Sequence, residues 1–122
     1  MENRADSFNE EFEVIRIQYG IKLAKQVRNI TSQWQLLQKC FSKRELLDDI
    51  YRNIHKISGS AGIFGYGAIG SIATDVEQQL KPIMDNSLAL SVHDKDVMSR
   101  QFESLMAEVE NLMRRIDGTI EP

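Results

Sequence analysis

The sequence predicts an all-α fold: an antiparallel four-helix bundle with a short extra N-terminal helix. Apolar residues recur every three or four positions along most of the chain, which is the spacing of amphipathic helices. The only two prolines are Pro82 and Pro122, so little interrupts a helical backbone. No segment shows the apolar and polar alternation of a half-buried strand. Short connections between long helices favour antiparallel neighbours.

Length and composition indicate one globular domain spanning residues 1–122, with a core from about residue 7 to about residue 117. The chain is 42% hydrophobic and 27% charged, as ordinary globular proteins are. Its net charge of -3 argues against nucleic acid as the main partner. No signal-peptide pattern or membrane-length apolar run occurs, so we expect a cytoplasmic protein that does not associate with membranes. The single cysteine, Cys40, excludes an internal disulfide.

The first two predicted helices are separated at Gly20. Ser7 and Glu10 have the spacing of a capping box, which predicts that a short helix begins at Ser7. We expect this helix to pack across the bundle or to cover one end, and Gly20 to break or bend the chain after Tyr19. A longer helix follows, and its apolar residues predict one core-facing side: Leu23, Val27, Ile30, Trp34, Leu37 and Phe41.

A third predicted helix begins with a second capping box, Ser42 and Glu45, and ends near Gly65. Gly65 and Gly67 then mark a connection on either side of Tyr66. The apolar stripe of this helix is about 100° wide on a helical projection. It contains Leu46, Leu47, Ile50, Ile54, Ile57, Ala61 and Phe64.

Two more helices complete the predicted bundle. One should end near Pro82, because proline removes a helical hydrogen bond. The other should be capped by Ser91 with Asp94 and stop at Asp117-Gly118. Their core-facing residues are predicted to be Ile69, Ile72, Ala73, Val76 and Leu80 in the first, and Phe102, Leu105, Val109, Leu112 and Ile116 in the second.

His55 is the strongest candidate for chemistry, because it points about 130° away from the middle of the apolar stripe on its helix. Gly59 and Gly62 follow on the face of His55, although each glycine costs about 1 kcal/mol relative to alanine within a helix. These glycines would let a large partner approach the imidazole. A neutral imidazole is a nucleophile near neutral pH, so attack on a phosphoryl group would give phosphohistidine.

Three polar neighbours of His55 are candidates for binding the phosphoryl group or a partner. The Ser58 hydroxyl lies about 60° to the core side of His55 and can donate a hydrogen bond to a phosphoryl oxygen. Lys56 points about 100° the other way, and with Arg52 it forms a small basic edge. The simpler interpretation is that both cations belong to a solvated face.

The run HKISGSAGIFG resembles the signature of histidine-containing phosphotransfer (HPt) domains, which is roughly H-x-L-K-G-S-A-x-x-x-G. The matching positions are His55, Ile57, Gly59, Ser60, Ala61 and Gly65. Ile69, Ala73 and Glu77 also resemble the usual continuation of that family, and the likeness extends over nearly the whole chain.

The resemblance implies a phosphorelay protein of two-component signalling. In that family the histidine, here His55, accepts a phosphoryl group from an aspartate of one receiver domain and passes it to another. The partners would be receiver domains of response regulators or hybrid histidine kinases, docked around Arg52, Gly59 and Gly62. The resemblance implies no kinase activity and no cofactor in this chain, and the magnesium belongs to the receiver. The polar outer faces favour a monomer.

One departure from the family pattern affects the chemistry, because Ser58 stands where the family usually has a lysine. That lysine is thought to balance phosphoryl charge. Its place could be taken by Lys56, by Arg52, or by a basic residue of the preceding helix: Lys22, Lys25 or Arg28. The departure leaves a second hypothesis open, a binding module that sequesters or inhibits a receiver or kinase and transfers phosphoryl groups poorly. A helical adaptor unrelated to signalling is a third.

Metal binding and a second histidine site are not expected. His55 and His93 are the only histidines, and Cys40 lies apart from both, so the usual ligand set of a structural zinc site is missing. His93 falls in a capping segment and is interpreted as a surface residue.

Overall fold

The computed structural model describes the backbone of residues 4–39 and 44–120. It contains four α-helices: α1 (Arg4–Lys39), α2 (Arg44–Ser60), α3 (Gly67–Asp85) and α4 (Val92–Ile120). A 3₁₀ segment, Ala61–Phe64, continues α2. Within the described ranges there is no strand, so the all-α prediction is confirmed. None of the helices described is long and apolar enough to cross a membrane.

The predicted short N-terminal helix does not exist as a separate element, because α1 runs without interruption from Arg4 to Lys39. Gly20 therefore does not break the chain. It is buried against the ring of Tyr66, and a Cβ atom at this position would lie only 2.5 Å from the Tyr66 hydroxyl oxygen. The glycine thus provides room for a tyrosine from the α2–α3 connection.

The first part of α1 also fails to pack as predicted. Phe12 and Ile15 are 43% and 51% exposed, so they do not cover an end of the core. The predicted capping box at Ser7 is not the start of the helix, which begins earlier, at Arg4. The second capping box falls partly on Ser42, and Ser42, Phe41 and Cys40 lie outside the described residues.

One hydrophobic core joins the four helices. The described residues of the predicted core-facing sides of α1, α3 and α4 are buried in it, with Ile72 only partly so. In α2, Leu47, Ile50, Ile54 and Ile57 are buried, while Leu46 packs at the margin. Burial of each such side chain stabilises the fold by about 1.5–3 kcal/mol, which is the main reason the helices associate.

Specific contacts show how the helices adjoin one another. Gly20 at the middle of α1 lies by Ile116 near the end of α4. Trp34, near the end of α1, stacks on Phe102 in the first half of α4, with ring centroids 5.5 Å apart. At the other side of the core, the Arg44 guanidinium at the start of α2 donates to the carbonyl oxygens of Ile83, Met84 and Leu88. Ile83 and Met84 lie in the last turn of α3 and Leu88 in the connection that follows, so the guanidinium adds a donor to carbonyls at the helix end.

The connections on either side of α3 have the predicted glycine and capping residues, but the end of α3 differs from the prediction. Gly65 ends the 3₁₀ segment with φ of 87°, a left-handed conformation that favours glycine. Ser91 and Asp94 form the predicted capping box, each accepting a 3.0 Å hydrogen bond from the backbone of the other. The end of α3 was predicted near Pro82 but lies at Asp85. The helix continues past Pro82 because a proline in the last turn removes only one backbone donor, while its carbonyl still accepts from the backbone and side chain of Asn86.

Candidate functional site

His55 stands on the outer side of α2, with 68% of its side chain exposed. The neighbouring Ile54 and Ile57 are buried in the core, and this anchors the backbone on both sides of the histidine. One turn earlier, the Tyr51 ring lies 6.5 Å from the imidazole, centroid to centroid, and nearly parallel to it. The helix therefore presents the imidazole to solvent in a defined place.

A carboxylate from α3 orients the imidazole. The Nδ1 atom of His55 lies 3.1 Å from Oε2 of Glu77. Because a carboxylate only accepts hydrogen bonds, this contact requires the proton on Nδ1 and leaves the lone pair of the neutral ring on Nε2. The nitrogen that is directed away from Glu77 is therefore the one with nucleophilic character.

Ser58 also lies against Glu77. Its Oγ is 2.6 Å from Oε2 of Glu77 and 2.9 Å from the backbone carbonyl oxygen of His55. The hydroxyl has one hydrogen, and the charged carboxylate is the stronger acceptor. Hydrogen bonding from Ser58 is the main cause that lowers the pKa of Glu77, with further lowering from His55, against a smaller opposing effect of burial. Glu77 is therefore ionised at neutral pH.

The surface beside His55 is open. A Cβ atom added to Gly59 or Gly62 would meet no atom within 4 Å, so packing inside this chain does not require either glycine. Gly62 lies in the 3₁₀ segment, one residue before Ile63, whose side chain is 72% exposed. Together Gly59, Gly62 and Ile63 form a low apolar surface, which we call the glycine surface, next to the histidine.

The cations predicted to lie near His55 do not contact it. Arg52 forms an ion pair with Asp49 one turn earlier on α2. Lys56 is exposed, and within the part of the chain that the structure describes no carboxylate pairs with it. Lys22, Lys25 and Arg28 are exposed on α1. The group that reaches the imidazole from another helix is thus an anion, Glu77.

An aromatic cluster fixes the end of α2 and the 3₁₀ segment to α1. The Tyr19 ring stacks on Phe64 at 4.1 Å, and its hydroxyl lies 2.6 Å from Oγ of Ser60. Tyr66 donates to the carbonyl oxygen of Arg16 at 2.7 Å. Burial raises the pKa of the Tyr66 phenol, so this donor keeps its proton at neutral pH. The glycine surface therefore rests on a well-packed support.

Glu77 was the residue that sequence reasoning did not assign to the site. It resembles a residue of the family continuation, but its role follows from the packing of α3 against α2, which joins positions 19 residues apart in the Ser58 hydrogen bond. Ser58 was a candidate for binding the phosphoryl group, and in the structure its hydroxyl lies against Glu77. His93 is exposed at the start of α4, as predicted.

The fold and this geometry define a helical-bundle protein with one oriented, accessible histidine. The model of the Hpt domain family matches residues 18–118, most of the 122-residue chain, and the protein therefore belongs to the Hpt domain family. Members of this family take part in two-component signalling and interact with receiver domains. Comparisons with curated proteins and with solved structures gave no match.

Proposed function

We propose that this protein shuttles a phosphoryl group between the aspartates of two receiver domains, with His55 as the intermediate carrier. The observation that carries the proposal is the imidazole itself, which is 68% exposed and has Nδ1 3.1 Å from a carboxylate oxygen of Glu77. That arrangement leaves Nε2 as an accessible nucleophile on a chain that belongs to the Hpt domain family.

In the proposed transfer, the Nε2 lone pair attacks the phosphorus of an aspartyl phosphate. An N–P bond forms, the P–O bond to the aspartate breaks, and the aspartate leaves as a carboxylate. The Nδ1 proton stays on the ring, where the Glu77 carboxylate 3.1 Å away stabilises the positive charge that develops. The reverse sequence delivers the group to the second receiver. Magnesium in the receiver would supply the charge neutralisation of the phosphoryl oxygens.

The receiver would dock on the glycine surface and on the edge formed by Arg52 and Lys56. Gly59 and Gly62 leave the backbone of α2 and the 3₁₀ segment accessible, and Ile63 provides an exposed apolar contact. Binding should be transient, since a shuttle must leave one receiver to meet the next. The exposed cations would favour encounter with an acidic pocket rather than add much affinity.

The proposal also covers the direction of the helices, the oligomeric state and the cellular location. We propose an antiparallel bundle, supported by the contacts of Gly20 with Ile116 and of Trp34 with Phe102, which run in opposite directions along α1 and α4. A monomer in the cytoplasm, without a resident cofactor, is the form in which such a shuttle would work.

A second function, a module that binds a receiver or kinase but transfers poorly, is favoured by the charges around His55. Ser58 replaces the usual lysine of the family, Arg52 is paired with Asp49, and the group in contact with His55 is a carboxylate. Lys56 is exposed but does not contact His55, so a phosphoryl group on Nε2 would have no cation held beside it by the described contacts.

The test is incubation with a panel of phosphorylated receiver domains, followed by intact mass measurement and an acid-lability assay. An acid-labile gain of one phosphoryl group on the wild-type protein, absent from His55→Gln, would support the shuttle. His93→Gln is the matched control, because it removes the other exposed histidine and should transfer normally.

Gly59→Arg separates docking from chemistry. An arginine side chain would cover the glycine surface, and it has space to fold because nothing lies within 4 Å of its Cβ position. We expect this variant to lose both receiver binding and transfer, whereas His55→Gln loses only transfer. Receivers that bind without phosphorylating His55 would refute the shuttle and favour the binding module.

A further inference from the structure

We infer that Ser58 is a positioning residue that acts through Glu77, and that it does not contact the phosphoryl group. Its hydroxyl holds the Glu77 carboxylate against Nδ1 of His55 and so selects the tautomer with a free Nε2 lone pair. The inference rests on the proposed transfer through His55 for its kinetic consequence. Its structural part, the control of the tautomer, can be measured without any receiver.

The geometry supports this role because one carboxylate oxygen joins the two side chains. Oε2 of Glu77 is 2.6 Å from Ser58 Oγ and 3.1 Å from His55 Nδ1. Ser58 and His55 are three residues apart on α2, so neighbouring positions of one helix face converge on a single atom of α3. Glu77 is otherwise a flexible side chain, and a second donor restricts the positions that its carboxylate can take.

The tautomer matters because free histidine prefers to carry its proton on Nε2, the nitrogen that must attack. A hydrogen-bond acceptor fixed at Nδ1 reverses this preference and makes the ring a better nucleophile. A carboxylate that rotates away from Nδ1 would return part of the population to the unreactive form. Ser58 limits that rotation.

Direct binding of the phosphoryl group by Ser58 fits the structure less well. The hydroxyl has one hydrogen, and both acceptors within reach, the Glu77 carboxylate and the His55 carbonyl, belong to this chain. Turning the hydrogen toward a phosphoryl oxygen would leave the carboxylate without its closest donor.

The tautomer is measured first, by the ¹⁵N chemical shifts of the His55 ring in the unphosphorylated protein. We expect Nδ1–H in the wild type, a larger Nε2–H population in Ser58→Ala, and a return to Nδ1–H in Ser58→Thr, which restores the hydroxyl. Ser71→Ala, on an exposed part of α3, is the matched control and should leave the spectrum unchanged. An unchanged tautomer in Ser58→Ala would overturn the inference.

A double-mutant cycle with Glu77→Ala tests the kinetic consequence. Ser58→Ala should slow phosphoryl acceptance about tenfold, the effect of losing a hydrogen bond to a charged group. In the Glu77→Ala background the same change should have no further effect, because Ser58 then has nothing to position. Equal effects in both backgrounds would show that Ser58 acts directly on the phosphoryl group. If no variant accepts phosphate, the shuttle fails while the tautomer result still stands.

Discussion

At the scale of single residues, the site combines an oriented imidazole with an unusual charge balance. Glu77 is the ionised group in contact with His55, and Ser58 adds a hydroxyl but no positive charge. A carboxylate favours the cationic ring during attack, but it repels the phosphoryl group that the ring then carries. The balance should therefore favour release of the phosphoryl group to a receiver.

Ser58→Lys tests this charge balance. A lysine ammonium would attract the phosphoryl oxygens or pair with Glu77, and either effect stabilises phosphohistidine. Because the group is near the surface, we expect a shift of about two- to fivefold in the phosphoryl distribution toward His55. The distribution is measured at equilibrium with one receiver by separating the phosphorylated species. Ser71→Lys on α3 is the control, and a shift toward the receiver in Ser58→Lys would contradict the prediction.

Gly20 and Gly59 give a second prediction at this scale, because Gly20 is crowded by Tyr66 and Gly59 has open space around it. Gly20→Ala should destabilise the fold by about 1–3 kcal/mol, since its Cβ would collide with the Tyr66 hydroxyl. Gly59→Ala meets no atom and should stabilise α2 by up to about 1 kcal/mol. Urea unfolding of both variants measures these changes. A stable Gly20→Ala protein would show that Tyr66 moves aside freely.

The outward position of His55 and that of Gly59 one turn later could be predicted from the sequence, because both follow from the spacing of residues on one helix. The sequence did not identify the partner of Ser58. The hydrogen bond to Glu77 depends on the rotation of α3 against α2, and no local pattern in either helix specifies that rotation. The same limitation left Lys56, Arg52 and the basic residues of α1 as open candidates to balance phosphoryl charge, and it gave no indication that Glu77 would contact His55.

At the scale of helices, apolar periodicity predicted the core well. It failed at Gly20, because a glycine that ends a helix and a glycine that admits a neighbouring ring look alike in sequence. The ring that occupies this space, Tyr66, comes from a connection 46 positions later in the numbering. The predicted end of α3 near Pro82 was wrong for a related reason. A proline in the last turn removes one hydrogen bond without ending the helix.

The capping box of α4 gives the element-scale prediction. Ser91→Ala removes the side-chain acceptor of the Asp94 backbone N–H and should cost about 1 kcal/mol of stability. Ser91→Asn should retain most of the stability that the cap provides, because asparagine is also a good capping residue. The free energy of unfolding in urea measures both. Equal losses in the two variants would mean that the cap contributes through something other than this acceptor.

At the scale of the whole molecule, two carboxylates link stability to pH. The Ser91 backbone N–H lowers the pKa of Asp94, with help from its side chain and from Gln79, and the Ser58 hydroxyl lowers the pKa of Glu77. A carboxylate whose pKa is lower in the folded state contributes stability above its unfolded pKa. That contribution is lost as pH falls through the folded value.

We therefore expect stability to fall as the solution is acidified below the ordinary range of carboxyl groups. Urea midpoints measured from neutral to acid pH should show this decline, and Asp94→Asn should make it shallower. Asp75→Asn, an exposed position of α3, is the control. A wild-type midpoint that rises on acidification would contradict the assignment of these two groups.

The stacking of Trp34 on Phe102 has a practical consequence in spectroscopy. Trp34 is the only tryptophan of the chain, and its indole N–H donates to Ser99 of α4 at 3.2 Å. The indole of Trp34 thus packs at the contact of α1 with α4, whereas the glycine surface belongs to α2 and the 3₁₀ segment. The fluorescence emission of Trp34 should change when the core unfolds and should stay the same when a receiver binds. Every variant proposed above carries this optical reporter of its own folding, without an added label.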